Sequence, residues 1–102
     1  DEESELFQMA AIIALEHHER WDGRGYPFGK KEKEISLWAR IVSVADNFDT
    51  LTTEKGDRAS WGIDETVNYT EVMKEKAFAP QVVDVFLENI KKIIEIKEKY
   101  KN

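Results

Sequence analysis

The stretch HHERWDGRGYP, residues 17–27, marks the point where a helical pattern ends and a long loop begins. Before it, residues recur at the three- and four-residue spacing of one helix face: Leu6, Met9, Ala10, Ile13 and His17. This spacing predicts a first helix over residues 5–19 with Ser4 as its N-cap. Residues 20–35 combine glycines, a proline and lysines without any periodicity, which predicts a long surface loop.

The rest of the chain continues the helical pattern. Ser36 is expected to cap a second helix that ends near residue 52. Its apolar positions predict a core-facing stripe: Leu37, Ile41, Val44, Phe48 and Leu51. A short third helix is expected from Asp64, its cap, to about residue 76, and a last helix from Pro80 to the exposed C-terminal region. No segment alternates convincingly as a strand would, so the predicted fold is all-α with four main helices.

Composition narrows the class of protein. The chain of 102 residues suits one small domain and is too short for two independent folds. Its net charge of −6 argues against a general DNA- or RNA-binding surface, which would carry clustered Lys and Arg. Because cysteine is absent, disulfides and thiolate metal sites are excluded. No apolar run approaches the length of a membrane span, and the acidic start is unlike a signal peptide, so we expect a cytoplasmic protein.

The two histidines of the chain, His17 and His18, are adjacent at the predicted end of the first helix. Neighbouring side chains on a helix diverge by roughly 100°, so the pair is poorly placed to chelate one ion. It could address two ions, or one ion and a substrate group. The alternative is an ordinary helix end, in which one ring is solvated near the helix dipole and the other is packed.

Asp46 is the second candidate for chemistry. It lies in the middle of the second predicted helix, beside Ala45 and off the stripe that carries Val44 and Phe48. From helix geometry alone, a solvated carboxylate is the better interpretation. If Asp46 were buried, it would need a cation or hydrogen-bond donors, and imidazole with carboxylate suits iron, manganese or zinc.

Together these elements resemble the HD-GYP family. HHE at residues 17–19, DGRGYP at 22–27, AR at 39–40 and AD at 45–46 are similar in order and spacing to that family's HHE, DGxGYP, AR and AD motifs. The resemblance covers roughly the first half of the chain. It implies an all-α fold of the HD superfamily, with two or three divalent metal ions, usually iron or manganese, that serve hydrolysis of cyclic di-GMP.

Residue by residue, the resemblance implies a ligand set. His17 and His18 match the paired histidine ligands, and Asp46 matches the aspartate ligand on the following helix. Glu19 and Asp22 fall on acidic motif positions, where we expect them to support the ligands and cap the loop rather than bind metal.

The loop motif itself has a physical interpretation. Gly23 and Gly25 can take positive φ and let the backbone turn tightly, and Pro27, after Tyr26, stiffens the exit of the loop. Several cations occur here in an otherwise acidic chain: Arg20, Arg24, Lys30, Lys31 and Lys33. Their positive charge suits a phosphodiester or an acidic protein surface, although such a run is often only a solvated loop.

A second basic segment follows the helix that carries Asp46. Thr-Glu-Lys-Gly-Asp-Arg at residues 53–58 resembles the family's Asp-Arg-Pro-Tyr-Arg segment, which implies that Lys55 and Arg58 contact the substrate phosphates. This chain has Gly-Asp where Pro-Tyr is usual. A smaller departure is Ala79, where the family commonly has an Asp that caps the next helix; its loss should cost about 1 kcal/mol.

The His-Asp dyad that names the HD superfamily does not occur in these 102 residues. We therefore expect residues 1–102 to be a single C-terminal portion of an HD-GYP domain, inactive alone, and the full-length protein to be the phosphodiesterase. The competing hypothesis is a helical interaction module whose GYP loop binds a diguanylate-cyclase domain or another signalling partner. Apolar surface left uncovered in such a portion could also support a homodimer.

Overall fold

In the computed structural model, which describes residues 1–101, every regular element is helical. The five α-helices, numbered in chain order, are α1 (Glu2–Glu16), α2 (Leu37–Thr52), α3 (Ile63–Val72), α4 (Pro80–Glu88) and α5 (Ile90–Lys99), with one 3₁₀ turn at Glu32–Glu34. Within the described range the only extended pairings are two isolated bridges, so the all-α prediction is confirmed. None of the helices in that range combines the length and the apolar character needed to cross a bilayer.

Helix α1 begins and ends three residues earlier than predicted. The Asp1 carboxylate accepts a 2.8 Å hydrogen bond from the Ser4 amide, so Asp1 is the N-cap and the prediction of Ser4 was wrong. Acidic residues in the first turn favour this start because they face the positive end of the helix dipole. His17 is the C-cap, and His18 therefore lies beyond the helix.

The predicted starts of α2 and α4 are confirmed, and each is marked in the sequence by a residue that favours the start of a helix. Ser36 caps α2, its hydroxyl accepting from the Ala39 amide at 3.2 Å, and Pro80 occupies the first turn of α4 after an Ala79 that offers no side-chain cap.

Two predicted helices required correction. Helix α3 is capped by Gly62 rather than Asp64 and ends at Val72, because Glu75 adopts a φ of 68° that a right-handed helix cannot accommodate. The predicted last helix is interrupted at Asn89, whose side chain donates to the carbonyl of Val85 at 2.8 Å and competes with continuation of the helix.

The core lies where α2 meets α3 and α4. Val44 and Val83 are fully buried, and Phe48 packs edge-on against Phe86 with ring centroids 5.4 Å apart. Leu37 and Ile41 remain 48% and 45% exposed, so only part of the predicted α2 stripe is core. These two residues instead line an open apolar groove of about 400 Å³ together with residues of α4 and α5: Val82, Val85, Phe86 and Ile93.

Candidate metal centre and the adjoining loop

The side chain of His17 is oriented by the last turn of α1. Its Nδ1 lies 2.8 Å from the carbonyl oxygen of Ile13, and since a carbonyl can only accept, Nδ1 carries the proton. The Nε2 atom then holds the free lone pair. Histidine ligands to metals commonly donate their other ring N–H to a backbone carbonyl in this way, so His17 has the geometry of a ligand.

His18 has a different environment. Its ring is exposed, with a centroid 4.0 Å from that of His17 and 5.0 Å from that of Tyr26. The His18 and Tyr26 rings are stacked, with only 14° between their planes. Neither ring nitrogen of His18 has a hydrogen-bond partner among residues 1–101, so both stay open to a ligand.

Asp46 is exposed on α2, as the solvated interpretation of the sequence expects, and it forms no ion pair within the described chain. In the same part of the chain, no group of three or more His, Cys, Asp or Glu side chains could hold a metal ion. The imidazole and carboxylate donors of His17, His18 and Asp46 are of types that bind divalent metals, but within the described residues these three side chains do not form a group that could hold one ion.

Two buried carboxylates attach the loop of residues 20–35 to the end of α1. Glu19, 3% exposed, accepts from the amides of Phe28 and Lys30 at 2.8 and 2.9 Å. Glu16, 8% exposed, accepts from the Lys30 ammonium at 2.6 Å and from the Ser36 amide at 2.8 Å. These donors offset the cost of burying two charges, and they fix both the middle and the exit of the loop.

The role of Glu16 was missed by the sequence analysis. The position of Glu16 in the sequence could have indicated this role. A carboxylate in the last turn of a helix is disfavoured by the helix dipole. Such a residue needs partners outside the helix, and here the loop supplies them.

Asp22 closes the tip of the loop on itself. Its carboxylate accepts from the Arg24 amide at 3.0 Å and from two guanidinium nitrogens of Arg20 at 3.1 and 2.9 Å. The hydrogen bond from Arg20 outweighs partial burial and lowers the pKa of Asp22. Arg20 and Lys30 are thus neutralised by neighbouring carboxylates, so the basic character predicted for the loop is reduced.

The two motif glycines are required for different reasons. Gly23 adopts a φ of +82°, as predicted. Gly25 does not take positive φ, so the tight turn proposed from the sequence is not the reason for a glycine at this position. A Cβ on Gly25 would instead lie 2.5 Å from both the Arg20 amide nitrogen and the His18 carbonyl oxygen, so only glycine fits between these backbone atoms. The Tyr26–Pro27 peptide bond that follows is cis.

The Glu16 hydrogen bonds predict a pH dependence of stability. Burial raises the pKa of Glu16, but the bonds from Lys30 and Ser36 outweigh it and hold the pKa below its usual 4.5. A lowered folded-state pKa stabilises the fold above pH about 4.5, and this contribution is lost as acid protonates Glu16. We expect Glu16→Gln to reduce the free energy of unfolding by about 1.5–3 kcal/mol at pH 7, and by less at pH 3.

Urea denaturation of wild type and variant at both pH values measures this difference. Glu95→Gln is a matched control, because Glu95 is exposed on α5; we expect a change within about 0.5 kcal/mol. An equal loss for Glu16→Gln at pH 7 and pH 3 would show that its charge does not hold the loop.

Lys55 and Arg58 lie in the turn after α2. They pair as an isolated antiparallel bridge around Gly56, whose φ is +57°, and both side chains are exposed. The Arg58 guanidinium donates to the carbonyl of Thr50 at 2.8 Å, near the end of α2. One of its nitrogens is therefore engaged, while the Lys55 ammonium remains open to solvent.

Comparison with known proteins gives one family match and several relatives of similar sequence. Residues 2–82 match the family described as HD domain. The chain is 39% identical over 99 residues to a cyclic di-GMP phosphodiesterase of Thermotoga maritima, covering 97% of this chain and 27% of that protein. It is 41% identical over 85 residues to a cyclic di-GMP phosphodiesterase response regulator of Xanthomonas campestris pv. campestris, covering 83% and 22%. A 3'3'-cGAMP-specific phosphodiesterase of Vibrio cholerae is 34% identical over 92 residues, covering 90% and 18%.

The chain belongs to the HD-domain family, since the family match covers most of its length. Membership implies dependence on divalent metal ions. The chain spans only 18–27% of the length of these three relatives.

Proposed function

We propose that this chain is the C-terminal portion of an HD-GYP domain and that the full-length protein is a metal-dependent cyclic-dinucleotide phosphodiesterase. The observation that carries the proposal is the His17–His18 pair at the end of α1. His17 has its Nε2 free because Nδ1 donates to Ile13, and His18 has both ring nitrogens open. Both residues begin the run that resembles the HD-GYP motifs, and the relatives with similar sequence are named as phosphodiesterases of cyclic dinucleotides.

His17, His18 and Asp46 would supply part of the metal site, with iron or manganese as the expected ions. The remaining ligands would come from a His-Asp dyad outside these residues. When bound, the ions would lower the pKa of water and offset charge on the phosphoryl oxygens during attack on phosphorus. Glu19 and Asp22 contribute by fixing the loop beside the histidines.

Lys55 and Arg58 are the proposed contacts to the substrate phosphates. Both are exposed cations on one turn, so they can approach the two phosphodiesters that any cyclic dinucleotide carries. They recognise charge and not bases, which fits relatives named for cyclic di-GMP and for 3'3'-cGAMP.

One observation favours a second role for the loop, as a docking surface. Tyr26 and Phe28 are 62% and 61% exposed on either side of Pro27, and exposed aromatic rings are typical of protein interfaces. A diguanylate-cyclase domain is the proposed partner. A homodimer through the apolar groove of α2, α4 and α5, and a cytoplasmic location, remain further proposals.

The experiment is an assay of the full-length native protein loaded with Fe²⁺ or Mn²⁺. We expect hydrolysis of cyclic di-GMP or 3'3'-cGAMP to linear products, abolished by a chelator and restored by metal. The 102-residue chain alone should be inactive. Failure of the metal-loaded protein to hydrolyse either dinucleotide would overturn the enzymatic proposal, and binding to a diguanylate-cyclase domain without hydrolysis would favour the interaction module.

A further inference from the structure

The position of Tyr26 is determined by the loop that carries it. Glu19 holds the amide of Phe28, two residues beyond Tyr26, and the Tyr26 amide itself donates to the carbonyl of His18 at 3.3 Å. Gly25 packs without a side chain against the same His18 carbonyl. The backbone of the loop is therefore pinned directly to the residue whose ring Tyr26 covers.

The contact between the Tyr26 and His18 rings is a stack of nearly parallel planes. The Tyr26 ring lies over the His18 imidazole with centroids 5.0 Å apart and 14° between the planes. His17 has a hydrogen bond to Ile13 that fixes its ring, whereas His18 has no such bond among residues 1–101. The His18 ring contacts two other rings, at a tilt with His17 and in a nearly parallel stack with Tyr26, and these contacts restrain its side chain.

We infer that Tyr26 is a positioning residue: its ring holds the imidazole of His18 in the orientation in which His18 binds metal. This inference rests on the proposed function, because it assumes that His18 is a ligand. A ring that is already oriented loses less conformational freedom on coordination, so the stack should raise metal affinity without contacting the ion. The phenol hydroxyl plays no part, and phenylalanine should serve equally well.

The test compares Tyr26→Phe, which keeps the stack, with Tyr26→Leu, which removes it, in the full-length protein. Tyr26 is largely exposed, so both variants should fold, and circular dichroism checks this. In the metal-free protein, the His18 ring protons, assigned by comparison with His18→Gln, should be shifted upfield by the aromatic ring in wild type and Tyr26→Phe. This shift should be lost in Tyr26→Leu. Titration with Mn²⁺ should give a Kd raised about 2- to 10-fold in Tyr26→Leu only.

The Mn²⁺ affinities of the variants separate a failure of the inference from a failure of the proposed function. If His18→Gln weakens Mn²⁺ binding while Tyr26→Leu binds as wild type does, Tyr26 does not position the ligand. If Tyr26→Phe and Tyr26→Leu weaken binding equally, the hydroxyl is responsible and the stacking argument is wrong. If wild type binds no Mn²⁺ at all, the proposed function itself fails and the inference falls with it.

Discussion

We expect His17→Ala, His18→Ala and Asp46→Asn each to lower kcat/KM for cyclic-dinucleotide hydrolysis by about 100-fold or more in the full-length protein. Each change removes one donor that a divalent ion needs, and within residues 1–101 no group of three or more His, Cys, Asp or Glu side chains could hold the ion instead. His17→Ala also removes the ring's hydrogen bond to the Ile13 carbonyl, but that carbonyl still accepts from the backbone amide of residue 17 at 3.0 Å.

The matched control is Asp84→Asn, which makes the same change as Asp46→Asn on a different helix. Asp84 is exposed on α4 and pairs with Lys74. We expect its kcat/KM to stay within about twofold of wild type. A full-length Asp46→Asn variant as active as Asp84→Asn would remove Asp46 from the site.

We expect Gly25→Ala to displace the GYP loop from the end of α1. The new Cβ would meet the Arg20 amide nitrogen, the His18 carbonyl oxygen and the Glu19 Cα at 2.5–2.7 Å. All three are backbone atoms, so no side-chain rotation relieves the contact. Overpacking of this kind costs about 1–3 kcal/mol, and any shift of the loop also weakens the hydrogen bonds that Glu19 accepts.

Hydrogen exchange of the full-length protein detects this change locally. The amides of Phe28 and Lys30 should exchange faster in Gly25→Ala, since both bond to Glu19 in wild type. Gly62→Ala is the control, because a Cβ at Gly62 meets nothing within 4 Å and its φ is ordinary. Unchanged exchange at the two loop amides in Gly25→Ala would mean that the loop does not depend on this close approach.

The elements that could be predicted are those with local causes. Ser36 and Pro80 begin helices through contacts or dihedral angles within a few residues, and both starts were predicted correctly. Leu37 and Ile41 lie on the apolar side of α2, yet they are half exposed. Periodicity identifies an apolar face, but it does not say which neighbouring element covers that face.

In the candidate site too, features with local causes could be predicted, and features that depend on distant residues could not. The resemblance predicts His17 and His18 as metal ligands from adjacent motif residues alone. The partners of Glu16 and Glu19 lie 9 to 20 residues further along the chain, so their roles depend on the path of the loop. Gly25 was singled out as a glycine for the wrong reason. In a sequence, a glycine that allows two backbone segments to approach closely cannot be told from a glycine that adopts positive φ.

The most direct test of the metal centre is the metal content of the purified full-length protein, compared with its His17→Ala, His18→Ala and Asp46→Asn variants. Elemental analysis should find iron or manganese bound to wild type and to Asp84→Asn, and a clear loss of bound metal in each of the three ligand variants. Unchanged metal content in all three would contradict the assignment of these residues as ligands.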